Sequence, residues 1–79
     1  MRTFSAVRKP ECTIAFGLHL RKLREKANLS QQELADKSNL PKISIQRIEM
    51  KKVNPRLETL ACIAEGLEIP LSTLLDFKY

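Results

Sequence analysis

Side chains in the middle of this 79-residue sequence carry groups that can hydrogen-bond to the edges of DNA bases. Arg47 can present two parallel donors to guanine, and Gln46 can present a donor and an acceptor to adenine. An exposed Ile43 can contact the methyl group of thymine. Lys42 can approach a base or a phosphate. The alternative to base reading, for both Lys42 and Arg47, is a phosphate contact or simple solvation. These groups act together only if one element holds them on a single exposed face.

Ile45 and Ile48 indicate that this element is a helix. They are three residues apart and therefore share one helical face, and if that face is buried the four side chains above point outwards. Pro41 suits the first position of such a helix, because the N–H that it lacks would be unpaired there anyway. The segment from Lys51 to Pro55 ends the helix.

A second helix begins shortly before this one with a capping box. The Ser30 hydroxyl can accept a hydrogen bond from the backbone N–H of Glu33, while the Glu33 side chain can reach back to the N–H of Ser30. The helix carries Leu34 and Ala35 inward and ends near Asn39. Only about three residues then separate the two helices, and so short a joint fixes them at a steep angle.

The two helices and the turn between them have the steric pattern of a helix-turn-helix running from Gln31 to about Met50. Counted from Gln31, the fifth residue is Ala35, which is small enough for the two helices to touch. The ninth is Asn39, which tolerates the positive φ that the turn needs. Apolar residues that face the core stand at the fourth, tenth, fifteenth and eighteenth places, namely Leu34, Leu40, Ile45 and Ile48.

Three more helices complete an all-α domain. The first runs from about Glu11 to Asn28, the fourth ends around Gly66, and a short fifth follows Pro70. The residues at helical spacing are Ile14, Leu18 and Leu23 with Leu20 or Arg21 in the first helix, Leu57, Leu60, Ile63, Ala64 and Leu67 in the fourth, and Leu71, Leu74, Leu75 and Phe77 in the fifth. The predicted fold is therefore five helices around one modest core.

Composition and charge favour a small globular domain with a polyanionic partner. The chain has 43% hydrophobic and 29% charged residues and a net charge of +5. Lys and Arg outnumber Asp and Glu by seven to two in residues 1–28 and by six to three in residues 29–56, whereas residues 57–79 carry one base and four acids. A face for phosphates and another for packing would produce this asymmetry, as would ordinary solvated charge. A chain this short builds one modest core, so a catalytic cleft and an enzyme are not expected.

The cysteines and the single histidine predict no metal, disulfide or catalytic centre, and no cofactor is expected. Cys12 and Cys62 lack the short paired spacing of zinc ligands, so we expect two reduced thiols, with Cys62 in the core. A redox role for Cys12 is the alternative. His19 lies in the first helix with no cluster of Cys or carboxylates nearby. No apolar run approaches the ~18 residues of a membrane span, and a cytoplasmic protein without membrane contact is expected.

The sequence resembles the Cro and phage-repressor type of helix-turn-helix, often called the Xre family. The matching segments are Leu29–Ala35, Ile45–Glu49, Asn54–Pro55 and Leu57–Leu60. The resemblance covers roughly residues 14–76 and implies a five-helix, lambda-repressor-like DNA-binding domain, usually dimeric on double-stranded DNA, whose third helix enters the major groove. It assigns base reading to the exposed residues of that helix, which are Lys42, Ile43, Ser44, Gln46 and Arg47.

The resemblance also implies contacts to the DNA backbone and a structural ion pair. Gln31 would contact a phosphate and brace the third helix. Arg24 would pair with Glu49 and hold the third helix against the first, with a weak surface ion pair as the alternative. The loop after the third helix would bind a phosphate through Lys51, Lys52, Asn54 and Arg56. Ordinary solvation of a loop would also explain these charges.

The sequence departs from the resembled family at four turns that commonly hold glycine. Asn28 and Asn39 replace two of these glycines easily, but Lys51 and Glu68 would be strained in a left-handed conformation. Either those two turns change shape or some stability is lost. Arg56 stands where the family tends to have a capping Ser, which removes one N-cap and adds a charge.

Both ends of the chain carry further predictions. Residues 1–10 are expected to form a flexible basic arm, whose Arg2, Arg8 and Lys9 reach the minor groove or are simply disordered, and residues 11–79 form the domain. The last residues are more apolar than a monomer needs. They predict a two-fold dimer interface made by Leu71, Leu74, Leu75, Phe77 and Tyr79. The alternative is that these residues only pack in the core.

Two classes of function are compatible with these features. The first is a dimeric, sequence-specific transcriptional regulator of the repressor or controller type, which reads a palindromic operator. The second is an antitoxin or adaptor, whose apolar C-terminal surface binds a protein partner and whose DNA binding is secondary. A stable homodimer in solution favours the first class, whereas a chain that needs a partner favours the second.

Overall fold

Short-range signals set the boundaries of the helices in the computed structural model, which describes residues 9–79. Among these residues the regular elements are five α-helices and no strand, which confirms the predicted all-α fold. The helices are α1 (Pro10–Lys26), α2 (Gln31–Ser38), α3 (Lys42–Glu49), α4 (Leu57–Leu67) and α5 (Leu71–Leu74).

The predicted starts of α1, α2 and α3 are close to the observed ones. The capping box of α2 is present, since the Glu33 N–H donates to the Ser30 hydroxyl at 3.0 Å and the Ser30 N–H donates to the Glu33 carboxylate at 2.8 Å. Pro41 is the residue that caps α3 and not its first helical residue. Pro10 is the first residue of α1 and so does not belong to the arm. Arg2 and Arg8 of that arm lie outside the described residues.

Each helix places one large apolar side chain at the centre of a single core. All five of these side chains are fully buried: Leu20, Leu34, Ile45, Ile63 and Leu74. Burying a side chain of this size stabilises the fold by about 1.5–3 kcal/mol. Helix α3 packs mainly against α1 and α2, and the position of its outer face follows from this packing.

The inward face of α1 differs in part from the predicted one, because Leu20 and Leu23 face the core as expected but Ile14 and Leu18 do not. Phe16 and Leu20 are buried, whereas Ile14 and Leu18 are each 45% exposed. The helix carries two apolar stripes, and the stripe with the aromatic ring is the one that faces the core. Leu57 of α4 is also exposed, at 66%, because it lies at the start of that helix and beyond the edge of the core.

All four turns that lack glycine keep the left-handed conformation. The φ angles are 60° at Asn28, 57° at Asn39, 65° at Lys51 and 58° at Glu68. The turns do not change shape, so the strain expected at Lys51 and Glu68 is retained in the fold. A non-glycine residue in this region costs roughly 1 kcal/mol or more.

Candidate nucleic-acid interface

Helix α3 presents a mixed polar and apolar face to solvent. Lys42, Ile43 and Arg47 are exposed, and Ser44 and Gln46 are half-buried beside them. The opposite face carries Ile45 and Ile48, which are 0% and 2% exposed. The five side chains predicted to read bases therefore share the part of α3 that the core leaves free.

An ion pair fixes the end of α3 against α1, as the resemblance implied. The Nε of Arg24 donates to Oε2 of Glu49 at 2.7 Å, and Nη2 donates to Oε1 at 3.0 Å. The third guanidinium nitrogen donates to the Leu29 carbonyl at 2.8 Å, at the entry to α2. The hydrogen bond to Glu49 raises the pKa of Arg24 above its ordinary value. The pair is nearly buried, so its geometry sets the position of α3.

Gln31 joins the same carboxylate. Its Nε2 donates to Oε1 of Glu49 at 3.1 Å, so the first residue of α2 is tied to the last residue of α3. Glu49 therefore accepts hydrogen bonds from α1 and from α2 together. A bracing role for Gln31 requires a contact of this kind, and both that role and the phosphate role stay predictions.

The close approach of α1 and α3 depends on Gly17, which the sequence analysis missed. A Cβ atom at Gly17 would lie 2.7 Å from the carbonyl oxygen of Ile48 and 3.1 Å from Cγ of Lys51. The last carbonyls of α3 thus rest directly on the backbone of α1. A glycine inside an amphipathic helix was the available signal, because it costs about 1 kcal/mol there and needs a packing reason.

A cleft joins the exposed face of α3 to the start of α4. We call it the α3–α4 cleft; it has a volume of about 200 Å³, and its polar lining residues are Ser44, Arg47, Asn54, Arg56 and Thr59. The structure thus brings predicted base-reading and phosphate-binding residues to one surface. Thr59 was not predicted, although a hydroxyl in the first turn of a helix that follows a basic loop was a usable signal.

The loop between α3 and α4 also contacts α1. The Thr13 hydroxyl donates to Oδ1 of Asn54 at 3.4 Å, which is a long hydrogen bond on the exposed side of the loop. Lys51 and Lys52 are both exposed. Of the predicted phosphate-binding set, Asn54 and Arg56 face the α3–α4 cleft, whereas the two lysines lie on the other side of the loop.

The C-terminal segment divides between core and surface. Leu74 is fully buried, so its assignment to a dimer interface is corrected: it has no surface to offer to a partner. Leu71 and Phe77 pack partly against the core, and the Phe77 ring lies 5.5 Å from the Phe16 ring. Leu75 and Tyr79 are 41% and 68% exposed.

The remaining chemical candidates stay separate from one another. Cys12 and Cys62 are free, half-buried thiols. The core position expected for Cys62 is therefore only partly correct. The His19 ring packs against Phe77 at a centroid distance of 5.5 Å. Within residues 9–79 no group of three His, Cys, Asp or Glu could hold a metal ion, and no helix has the length and apolarity to cross a membrane.

Comparison with known proteins places this geometry in a family. The helix-turn-helix family model matches residues 20–74, which contain α2, α3, α4 and α5. The immunity repressor protein of Bacillus phage phi105 is 34% identical over 58 residues, which are 73% of this chain. The chain spans only 40% of the length of that relative.

Solved structures of similar proteins share the fold. The restriction-modification controller protein C.AhdI from Aeromonas hydrophila is 32% identical with a TM-score of 0.76, and the match covers 78% of this chain and 94% of that one. The wild-type controller protein C.Esp1396I is 26% identical with a TM-score of 0.75, over 92% of this chain and 87% of that one. The chain described here belongs to the Cro and phage-repressor (Xre) type of the helix-turn-helix family of DNA-binding transcriptional regulators.

Proposed function

We propose that this chain binds a palindromic operator in double-stranded DNA as a homodimer and controls transcription there, as a repressor or a controller. The observation that carries the proposal is the exposed face of α3, held in place by the contacts of Glu49 with Arg24 and Gln31. A rigid helix with free polar side chains can enter the major groove without rearrangement. The names of the similar proteins, an immunity repressor and two restriction-modification controllers, agree with this function.

Base reading is assigned to the exposed face of α3. Arg47 suits guanine, Gln46 suits adenine, Ile43 suits a thymine methyl, and Lys42 and Ser44 contact either a base or the neighbouring backbone. Half or more of protein–DNA hydrogen bonds go to the backbone. We assign that role to Gln31, Lys51, Lys52, Asn54 and Arg56.

The dimer interface is assigned to the exposed part of the C-terminal segment. Leu75 and Tyr79 supply its free apolar surface, with the half-buried Leu71 and Phe77 behind them. A two-fold contact here would present two α3 helices to successive major grooves, about 34 Å apart. Leu75→Asp should give a monomer in analytical ultracentrifugation without unfolding the chain, because the side chain is not in the core. A monomeric parent chain would instead favour the antitoxin or adaptor class.

Selection of bound sites from randomised duplexes tests the operator assignment. The expected motif is palindromic, with half-sites about one helical turn apart. Arg47→Ala should lose about 1–3 kcal/mol of discrimination at one base position per half-site. Arg21→Ala is the matched control, because Arg21 is exposed on α1 and pairs with Glu25 at 3.1 Å. If Arg47→Ala weakened all duplexes equally, Arg47 would be a phosphate ligand and not a reader.

A further inference from the structure

The outer side of α1 carries a short apolar stripe that the core does not use. Ile14 and Leu18 form this stripe, and each is 45% exposed. They are one helical turn apart, and each lies two positions from a buried residue, Phe16 or Leu20, which is about 200° around the helix. The stripe therefore points away from the core. Two neighbouring aliphatic side chains on the free side of a helix are a surface against which another helix can pack.

The helix that carries the stripe is held firmly in the fold. Gly17 lies against the last carbonyls of α3, and Arg24 is bonded to the end of the same helix. Ile14 also borders a cleft of about 590 Å³ between Lys9 and Lys51, so a partner meets open space at this end of the stripe. A surface on a rigid helix loses little conformational freedom when a partner docks.

Charged residues border the stripe in a self-complementary pattern. Glu11 lies before the stripe and Lys22 after it, and both are exposed. Eleven residues make close to three helical turns, so these two charges lie along the same edge of the stripe. Arg21 and Glu25 pair with each other at 3.1 Å beside the C-terminal end of the stripe. One edge of the stripe therefore has an acid at one end and a base at the other.

A second copy of α1 in the antiparallel direction matches this pattern. A two-fold axis through the middle of the stripe places Ile14 of each copy beside Leu18 of the other copy. The same axis places Glu11 of each copy opposite Lys22 of the other, whereas a parallel copy would bring like charges together. We propose that the outer face of α1 is a second self-association surface, which joins two copies of this chain through an antiparallel α1–α1 contact.

This surface is separate from the C-terminal one assigned to the dimer. Phe77 of the C-terminal segment packs against Phe16 and His19, which lie on other sides of α1 than the stripe. One chain can therefore make both contacts at once, and the α1 contact then links dimers into larger assemblies. Four half-exposed aliphatic side chains bury far less than the ~1,200 Å² of a stable specific interface, so we expect a dissociation constant of about 1 mM. The contact does not depend on DNA.

A zero-length carbodiimide cross-linker tests the contact, because it joins a carboxylate to an amine only where the two groups meet. Within one helix Glu11 and Lys22 are about 16 Å apart, so a link between them must join two copies. Mass spectrometry of the parent chain at about 1 mM should show this link, and a mixture of light and heavy nitrogen isotopes should give mixed pairs. The Glu33–Lys37 link within α2 is the internal reference. Its presence without a Glu11–Lys22 link would overturn the proposal.

Charge reversal distinguishes a specific contact from chance collisions. Glu11→Lys and Lys22→Glu should each lower the association constant of this contact at least about tenfold in sedimentation equilibrium, because each brings like charges together twice. The double variant Glu11→Lys/Lys22→Glu restores opposite charges and the net charge of the parent. Its association constant should return to within about threefold of the parent value. A double variant as weak as the single variants would overturn the proposal.

Leu18→Glu and Leu75→Asp separate the two surfaces. Leu18→Glu should lose the Glu11–Lys22 link and keep the C-terminal dimer, whereas Leu75→Asp should lose that dimer and keep the link. Both side chains are exposed, and circular dichroism confirms that the variants are folded. A link that survived Leu18→Glu, or one that disappeared in Leu75→Asp, would overturn a separate α1 surface. A parent chain that forms the link but no C-terminal dimer would contradict the proposed dimer alone.

Discussion

Arg24 and Glu49, which are 25 residues apart, form two parallel hydrogen bonds of 2.7 and 3.0 Å between α1 and the last residue of α3. Their side chains are only 11% and 5% exposed. Arg24→Lys keeps the charge but cannot make both bonds and reach the Leu29 carbonyl as well. We expect a loss of about 1–3 kcal/mol in the free energy of unfolding, measured by urea denaturation, together with weaker DNA binding.

The control for this substitution is Arg21→Lys on the same helix. The Arg21–Glu25 pair is 62% and 55% exposed, and exposed pairs four residues apart contribute under about 0.5 kcal/mol. Arg24→Lys should therefore lower the free energy of unfolding clearly more than Arg21→Lys does. Equal losses would mean that the buried pair does not fix α3.

Gly17→Ala tests the contact between α1 and α3. Alanine favours a helix over glycine by about 1 kcal/mol, so a glycine without a packing role would give a more stable variant. Here the new Cβ would lie 2.7 Å from the Ile48 carbonyl oxygen, and relieving that overlap costs about 1–3 kcal/mol. We expect a net loss of up to about 2 kcal/mol in the free energy of unfolding, measured by thermal denaturation, with reduced DNA affinity at temperatures where the chain is folded. A stabilised variant would contradict the close contact.

The capping box makes part of the stability depend on pH. Hydrogen bonds from the backbone N–H and the hydroxyl of Ser30 lower the pKa of Glu33 below its ordinary value of 4.5. The folded chain therefore releases this proton more readily than the unfolded chain does. The stabilisation is fully present above pH 4.5 and is lost as the pH falls through the folded pKa.

Glu33→Gln should remove this part of the pH dependence. Urea denaturation of the variant between pH 6 and pH 3 should show a smaller fall in stability than the parent shows. Ser30→Ala should reduce the fall as well, since it removes one of the two groups that stabilise the charged form. If the stability of the parent and of both variants fell in parallel with pH, Glu33 would not be the source of the pH dependence.

Glu68→Gly should stabilise the chain. Glu68 caps α4 with a φ of 58°, a conformation in which a side chain with a Cβ is strained. Relief of that strain, less the extra freedom of glycine in the unfolded chain, leaves a gain of about 0.5–1 kcal/mol. Asn39→Gly is the control, because Asn tolerates the left-handed region, and its melting temperature should change less. A gain at Asn39 equal to that at Glu68 would show that the residue type does not matter at these turns.

Local signals in the sequence determined most of the fold and the place of the candidate site on it. The Ser30–Glu33 capping box, the small Ala35 and the left-handed Asn39 each act within a few residues, so their patterns were sufficient to locate the helix-turn-helix. Ile45 and Ile48 then determined which face of α3 is free, because a helix whose buried residues are known has only one outer face.

The tertiary structure alone decided which of several apolar residues belong to the core. On α1 the spacing of Ile14 and Leu18 is as helical as that of Phe16 and Leu20, and only packing against the other helices selects the second stripe. Leu74 and Leu75 are adjacent and alike in sequence, yet one is fully buried and the other is 41% exposed. The contact of Gly17 with α3 and the cleft between Lys9 and Lys51 also join residues more than thirty positions apart. Such contacts depend on the directions of whole helices, which no short sequence pattern specifies.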